Sequence, residues 1–249
     1  MDDSVAQANA KLSSNDAALV WCVVPAAGIG QRFGGVMPKQ YAPLVGAPML
    51  IRTLDRLLSH PRVAGVMVAL AAGDEYWPGI TELEGKPVAT CVGGAARADS
   101  VLLGLQALAD VCADDDWILV HDAARPCVRH DDIDALLAQG SKHRVGAILA
   151  APIRDTVKLG AAGAAIQKTV DRTSLFRALT PQMFRYGALR AALAAALNDG
   201  PQSAAITDEA SALEARGDMP LLVEGAEDNI KVTTLHDLAL AEFILTSPA

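Results

Sequence analysis

Strand-like apolar runs alternate with longer helix-like segments along this chain, and this alternation limits its possible folds more than any other feature. The first run, residues 19–24, is continuously apolar and ends at Pro25 and a glycine-rich stretch, as a buried parallel strand does. The pattern predicts an α/β protein with a doubly wound, mostly parallel sheet whose ligands bind at the carboxyl ends of the strands. The further predicted strands are residues 63–70, 87–92, 117–120, 146–151, 221–223 and 230–232, and the predicted helices are residues 48–59, 97–112, 131–139, 186–197 and 235–245.

The composition is that of one folded domain in a reducing compartment. The chain has 249 residues, of which 51% are hydrophobic, enough for one substantial core. Residues 1–16 are polar and lack the apolar core of a signal peptide, so we predict a flexible tail followed by a single domain over residues 17–249. The four cysteines form no CxxC pair, which favours a cytoplasmic protein without a structural zinc site.

The charge balance narrows the classes of partner. A formal net charge of −8 argues against general binding to nucleic acid or to an anionic membrane surface. No apolar run approaches the roughly 20 residues that a membrane-spanning helix needs. Basic residues that fall within motifs therefore stand out against an acidic background.

Residues 153–170 break the α/β alternation. Two strand-like segments, 154–159 and 165–170, flank a glycine-containing loop at residues 160–163, which predicts an inserted β-hairpin. An isolated hairpin is only marginally stable, so we expect this one to pack on another surface, such as a second subunit. Further along, Thr207 is predicted to cap a helix whose first turn holds Asp208 and Glu209.

The loop after the first strand carries the strongest chemical signal. Gly28 and Gly30 allow backbone N–H groups to approach an anion, and Arg32 and Lys39 add two cations beside the same loop. A dinucleotide fingerprint would need glycine at position 33, where the chain has Phe33, and the Walker pattern is absent because Lys39 follows a proline. We predict triphosphate binding here, with a plain structural turn as the alternative.

Later loops add weaker candidates. Gly94 and Ser100 follow one strand, and Asp122 and Arg125 follow another, where they can bind a ligand or simply form a loop ion pair with each other. His121 is predicted to be an orienting or packing residue rather than a catalyst. The downstream hydroxyls and cations are Thr156, Arg172, Thr180 and Lys231, each of which is by itself an ordinary surface residue.

Taken in order, these segments resemble the 2-C-methyl-D-erythritol 4-phosphate cytidylyltransferase family over nearly the whole chain. The resemblance implies a Rossmann-like nucleotidyltransferase fold with the hairpin as a dimerisation arm. It also implies Mg²⁺-dependent transfer of CMP from CTP to methylerythritol phosphate. The matching motifs are Pro-Ala-Ala-Gly-x-Gly-x-Arg at 25–32, Pro-Lys-Gln at 38–40, Arg-Ala-Asp-Ser-Val at 97–101, His-Asp-Ala-Ala-Arg-Pro at 121–126, Asp-Thr-x-Lys at 155–158, Thr-Val-Asp-Arg at 169–172, Thr-Pro-Gln at 180–182, Thr-Asp-Glu-Ala-Ser at 207–211 and Asp-Asn-Ile-Lys-Val-Thr at 228–233.

The resemblance assigns roles to individual residues. Arg32 and Lys39 would stabilise the pentacoordinate phosphorus, while Arg172 and Lys231 would position the attacking phosphate. CTP would be contacted by Gly28, Gly30, Gly94, Ser100 and Ala123, and methylerythritol phosphate by Asp122, Arg125, Thr156, Thr180 and Thr207. As an arm, the hairpin would place Thr156 and Arg172 in the neighbouring subunit's site, with Mg²⁺ held mainly through the CTP phosphates.

Two points qualify the resemblance. Ala95 and Ala96 replace polar or acidic residues that are common in the family, so side-chain contacts to the nucleotide there are lost. A ribitol 5-phosphate cytidylyltransferase shares the fold and the first loop, and a catalytically silent nucleotide-binding regulator is the alternative outside enzymes.

A phosphate monoester is already mostly dianionic at neutral pH, so the reaction needs no general base.

Overall fold

The computed structural model describes residues 19–28, 37–198 and 206–247, which form a layered α/β fold. An eight-stranded sheet runs through the described part of the chain in the order β12-β8-β11-β7-β1-β4-β6-β5. The strands are β1 (Val20–Pro25), β2 (Pro43–Leu44), β3 (Ala47–Pro48), β4 (Val63–Leu70), β5 (Glu82–Leu83), β6 (Lys86–Val92), β7 (Trp117–Val120), β8 (Gly146–Pro152), β9 (Val157–Gly160), β10 (Ile166–Val170), β11 (Phe176–Arg185) and β12 (Leu221–Glu224).

Helices cover both faces of this sheet, as the predicted doubly wound arrangement requires. They are α1 (Met49–Leu58), α2 (Arg97–Ala107), α3 (His130–Gly140), α4 (Tyr186–Asn198), α5 (Glu209–Glu214) and α6 (Leu235–Thr246). None of these described helices is both long enough and apolar enough to cross a membrane. The predicted tail at residues 1–16 lies outside the described residues.

The core lies in two layers, one on each face of the sheet. Along β1, Cys22 and Val24 pack on one side and Trp21 and Val23 on the other, as alternation along a strand dictates. Helices α1 and α3 supply buried leucines to the first layer, and α2, α4 and α5 supply the second. Full burial of each such side chain is worth roughly 1.5–3 kcal/mol, so these layers hold the strand ends rigidly in place.

The sheet is mixed rather than uniformly parallel because two strands that the sequence did not reveal, the edge strand β5 and the central strand β11, run antiparallel to their neighbours. β1 pairs in parallel with β4 and β7, whereas β11 lies antiparallel between β7 and β8. Strand β11 contains Arg177 and Pro181, which interrupt the apolar pattern of a central strand. Its register shifts between Ala178 and Gln182, and this irregularity accommodates the proline.

Most predicted elements are confirmed, and three are wrong in detail. The helix predicted to reach residue 112 ends at Ala107 and continues as turns. Residues 230–232 form no strand, and Val232 instead donates its N–H to the Ala124 carbonyl at 2.8 Å. Asp208 rather than Thr207 caps α5, because its carboxylate accepts the Ser211 N–H at 3.0 Å.

The hairpin is separate from the main sheet. β9 and β10 pair antiparallel, with Val157 opposite Val170, and form a two-stranded sheet of their own. Their side chains are exposed or half-buried, including the apolar Leu159 and Ile166. The strands begin and end within a few residues of the predicted segments.

Candidate active site

A cavity of about 240 Å³ opens at the carboxyl ends of β1, β6 and β7, where the predicted ligand loops meet. The loops that follow these three strands and the segment that carries Lys231 together build its wall. The lining residues are Pro25, Ala26, Ala27, Gly28, Lys39, Gln40, Gly94, Ala95, Ala96, Arg97, Ser100, Asp122, Ala123, Ala124 and Lys231. Of the predicted residues, Gly28, Lys39, Gly94, Ser100, Asp122, Ala123 and Lys231 are therefore brought together.

The start of the glycine loop is held against the segment that carries Lys39. The buried side-chain amide of Gln40 donates to the Ala26 carbonyl at 2.7 Å. Lys39 reaches across the site, and its Nζ lies 3.3 Å from the Val232 carbonyl oxygen, one residue beyond Lys231. Gly30 and Arg32 lie outside the described residues, so their predicted roles stay predictions.

The second glycine loop needs glycine for close packing rather than for an unusual backbone angle. A Cβ atom on Gly94 would lie 2.3 Å from Asp99 Cβ, and one on Gly93 would lie 2.7 Å from Ala27 Cβ. The Gly94 N–H donates to Ser100 Oγ at 3.1 Å, and this hydroxyl also lies 3.1 Å from the Ala96 carbonyl oxygen. The loop therefore presents main chain to the cavity along a tightly packed turn.

Asp122 is the electrostatic centre of the site. Its Oδ1 lies 2.8 Å from Arg97 Nε, and its Oδ2 lies 2.8 Å from Lys231 Nζ and 3.4 Å from Arg125 Nε. Burial by itself would raise the pKa of Asp122, but the charges of Arg97, Lys231 and Arg125 outweigh burial and lower the pKa far below its usual range. The predicted loop ion pair with Arg125 therefore exists, as one contact of a larger cluster.

Two members of this cluster, Arg97 and Glu209, were missed as site residues by reasoning from the sequence. Arg97 Nη1 and Nη2 lie 2.6 and 3.1 Å from the two carboxylate oxygens of Glu209, whose side chain is fully buried. Glu209 was expected only to complement the dipole of its helix. The family motifs contain both residues, but nothing in the sequence pairs positions that are 112 apart.

His121 packs in the interior and hydrogen-bonds to two neighbouring residues. It is fully buried, with Nε2 3.0 Å from the Arg125 carbonyl and Nδ1 3.0 Å from Thr180 Oγ1. The carbonyl can only accept, so Nε2 carries the proton and Nδ1 accepts from the Thr180 hydroxyl. That hydroxyl in turn accepts the Asp122 N–H at 3.1 Å. Burial lowers the pKa of His121 to about 4, so the ring is neutral at physiological pH.

A second cavity of about 170 Å³ adjoins the first, and Arg97, Asp122 and Lys231 line both. We call these three residues the shared wall. The second cavity brings in the predicted acceptor residues Arg125, Thr180 and Thr207, together with Gln182 and Asp208. Arg125 Nη1 donates to the Asn229 carbonyl at 2.7 Å, which ties this cavity to the segment that carries Lys231.

Among the described residues, Thr156 and Arg172 are predicted site residues that do not lie at either cavity. Both are exposed, and neither is among the described residues that line the two cavities. They flank the hairpin, away from the residues that line the two cavities.

The arrangement suits the joining of two anionic ligands. Lysine and arginine side chains and main-chain N–H groups face the cavities, and among the described residues no group of three or more His, Cys, Asp or Glu side chains could hold a metal ion. Fixed cations next to main-chain donors stabilise charge that develops on phosphate oxygens during transfer.

Comparisons with known proteins agree with this geometry. The sequence profile of the 2-C-methyl-D-erythritol 4-phosphate cytidylyltransferase family matches residues 20–247. A protein of that name from Stenotrophomonas maltophilia (strain R551-3) is 53% identical over 232 residues, which cover 93% of this chain and 99% of the relative. One from Xanthomonas campestris pv. campestris (strain 8004) is 54% identical over 228 residues, covering 92% of this chain and 85% of the relative.

Solved structures agree as well. The crystal structure of the Francisella tularensis 2-C-methyl-D-erythritol 4-phosphate cytidylyltransferase is similar with a TM-score of 0.78 and 35% identity, covering 91% of this chain and all of that one. The enzyme of the same name from Thermus thermophilus gives a TM-score of 0.72 at 30% identity, covering 92% of this chain and all of that one. With its motifs, its cavities and these relatives in agreement, the chain belongs to the 2-C-methyl-D-erythritol 4-phosphate cytidylyltransferase family of nucleotidyltransferases.

Proposed function

We propose that this chain transfers CMP from CTP to 2-C-methyl-D-erythritol 4-phosphate, for isoprenoid biosynthesis. An oxygen of the acceptor phosphate attacks the α-phosphorus of CTP, and the bond from that phosphorus to the β-phosphate bridging oxygen breaks. The products are 4-diphosphocytidyl-2-C-methyl-D-erythritol and pyrophosphate. The observation that carries the proposal is the shared wall, because it gives a nucleotide cavity and an acceptor cavity three charged side chains in common.

CTP occupies the first cavity in this proposal. Main-chain groups of Gly28, Gly94 and Ala123 and the buried Ser100 contact the nucleotide, and Gly30 does so from the glycine loop. Lys39, with Arg32, stabilises the charge that builds up on the α-phosphate in the transition state. Ala95 and Ala96 line this cavity without polar side chains, so base recognition there rests on the backbone.

Methylerythritol phosphate occupies the second cavity. Lys231 and Arg172 position its phosphate, and Asp122, Arg125, Thr156, Thr180 and Thr207 line its site. The acceptor phosphate has its second pKa near ~6, so it is mostly dianionic at neutral pH and attacks without a general base. The buried and neutral His121 is accordingly left with a purely orienting role.

Mg²⁺ is the proposed cofactor, held mainly by the triphosphate and water. The fit follows from the donor set: Asp122, the carboxylate common to both cavities, is already paired with Arg97, Arg125 and Lys231. An octahedral ion that keeps several waters does not need a cage of protein ligands. When bound, it neutralises charge on the phosphates and leaves the positioning to the lysines and arginines.

A homodimer formed through the hairpin would complete the site. Leu159, Ile166 and Phe176 are exposed on or beside the hairpin, where a partner would cover them. Thr156 and Arg172 would then enter the neighbour's acceptor cavity from this arm. We place the reaction in the cytoplasm, where the four cysteines, all free in the described structure, stay reduced.

A pyrophosphate-release assay over a matrix of nucleotides and polyol phosphates tests the function. We expect turnover only with CTP and methylerythritol phosphate in the presence of Mg²⁺. Faster pyrophosphate release with ribitol 5-phosphate would identify that compound as the acceptor. CTP binding without turnover for any acceptor would indicate a regulator.

A further inference from the structure

Glu209 is a fully buried carboxylate for which the proposed reaction has so far no use. It lies at the first position of α5 and is not among the residues that line either cavity. Its two oxygens contact the two terminal nitrogens of Arg97, at 2.6 and 3.1 Å. Placing a carboxylate in a protein interior is costly unless a cation compensates it, so the pair behaves as one unit.

The contacts continue from this pair to the groups that would meet the acceptor. Arg97 uses its remaining nitrogen, Nε, to hold Asp122 Oδ1 at 2.8 Å. Asp122 Oδ2 holds Lys231 Nζ at 2.8 Å. The chain of contacts therefore runs from a buried carboxylate through the shared wall to a lysine that is half exposed to the cavity.

The geometry of arginine explains why Glu209 matters for this chain of contacts. A guanidinium that is gripped on both terminal nitrogens by one carboxylate has its plane fixed, so its Nε–H can point in only one direction. In this structure that direction is toward Asp122. A charged partner at position 209 thereby sets where the Asp122 carboxylate and the Lys231 ammonium stand.

We propose that Glu209 is a positioning residue for the acceptor phosphate, acting through Arg97, Asp122 and Lys231. The inference rests on the proposed function, since it assumes that the second cavity receives a phosphate monoester. The nucleotide side is expected to depend on Glu209 far less. The shared wall also lines the nucleotide cavity, but the contacts proposed for CTP are main-chain groups, Ser100, Lys39 and Arg32. Of these, Ser100 is held by the Gly94 N–H and the Ala96 carbonyl rather than by Arg97.

A purely structural role, the docking of α5, is already filled by other groups. Gln182 Oε1 accepts the Ala210 N–H at 2.9 Å, and Gln182 Nε2 donates to Asp208 Oδ2 at 2.9 Å. Asp208 also caps the helix. Ala212 and Leu213 bury its apolar face. With these anchors in place, the Glu209 charge is free to serve the site.

The experiment uses the full-length chain with Glu209→Gln, which keeps the size of the side chain and removes its charge. Glu214→Gln, at an exposed position of the same helix, is the matched control. Pyrophosphate release is measured with varied methylerythritol phosphate at saturating CTP, and then with the two reversed. Thermal unfolding is recorded for each variant.

We expect Glu209→Gln to raise KM for methylerythritol phosphate by about tenfold or more, the scale of a lost charge-assisted contact. KM for CTP should stay within about twofold, and Glu214→Gln should match wild type in both. The proposal is overturned if folded Glu209→Gln leaves both KM values unchanged or raises them in parallel. Inactivity of the wild-type chain itself would instead refute the proposed function.

Arg97→Lys decides the question if Glu209→Gln fails to fold. The lysine keeps the positive charge but cannot grip Glu209 with two nitrogens while it holds Asp122 with a third. It should therefore reproduce the selective rise in KM for the acceptor. Equal KM values for Arg97→Lys and wild type would rule out positioning through the guanidinium.

Discussion

The shared wall and the hairpin both carry predicted site residues, but they are built in opposite ways. In the wall, Asp122 is buried and contacts three cations, and the strands beneath it are packed on both faces. At the hairpin, Thr156 and Arg172 are exposed and flank a two-stranded sheet that is separate from the main sheet. The wall is preorganised by its own chain, whereas we propose that a second subunit holds the hairpin residues.

The two regions of the proposed site therefore differ in what holds their side chains in position. The buried carboxylate of Asp122 holds the cations around it in fixed positions because every alternative would leave a buried charge without a partner. Exposed hydroxyls and cations beside a hairpin are not held in fixed positions in this way until they bind another surface. Changes in the wall should therefore affect both stability and catalysis, while changes on the hairpin should affect catalysis alone.

The largest effect on stability is expected at Asp122. Asp122→Asn removes the charge that compensates Arg97, Arg125 and Lys231, and breaking a buried ion pair costs about 3 kcal/mol or more of unfolding free energy. Urea denaturation measures this loss. Asp155→Asn, at an exposed position beside the hairpin, is the control and should unfold at the wild-type urea concentration. Equal shifts of the urea midpoint in the two variants would contradict the expected difference in stability between the wall and the hairpin.

The next effect is on turnover, at Lys39 in the nucleotide cavity. Lys39→Ala should lower kcat by about 100-fold or more, the scale of a lost electrostatic contact in the transition state. Arg32→Ala should do the same. The exposed Lys142→Ala is the matched control and should keep the wild-type rate. Turnover of Lys39→Ala near that of wild type would contradict the assigned role.

Mixing inactive variants tests whether the hairpin serves a neighbour. Thr156→Ala and Arg172→Ala should not rescue each other, because both would disable the same arm. Lys39→Ala mixed with Arg172→Ala should instead recover about a quarter of wild-type activity, since about half of the dimers are mixed and each keeps one intact site. The test requires subunit exchange, followed by the pyrophosphate assay. No recovery in the second mixture would mean that each chain uses its own hairpin, and recovery in the first would mean that Thr156 and Arg172 serve different sites.

The smallest effect concerns the pH dependence of stability, through His121. Its pKa in the fold is about 4, below the unfolded value of about 6.5. Between these values the unfolded chain binds a proton that the folded chain does not, so stability falls by about 1.4 kcal/mol for each unit of decreasing pH. His121→Gln should show a shallower slope of unfolding free energy from pH 6.5 to pH 4. An unchanged slope in His121→Gln would contradict this prediction.

Reasoning from the sequence worked where a pattern is local. Strands β4 and β7 have their predicted bounds, since a continuous apolar run needs only its own residues to be recognised. The same reasoning failed at β11, because its charged and proline residues hide a strand that only its two neighbours stabilise. It also failed at residues 230–232, where backbone groups bond to the Ala124 loop instead of a sheet.

What the sequence determined by itself was the set of groups available for chemistry. The sequence contains glycines after a buried strand, cations beside them and family motifs in order. These local features predicted a site that binds phosphate groups. Tertiary structure alone decided which charges meet. Arg97 contacts Glu209 across 112 positions because α2 and α5 pack on one face of the sheet, and Arg97 also contacts Asp122. Such contacts depend on packing energy summed over the whole core, and no local pattern records them.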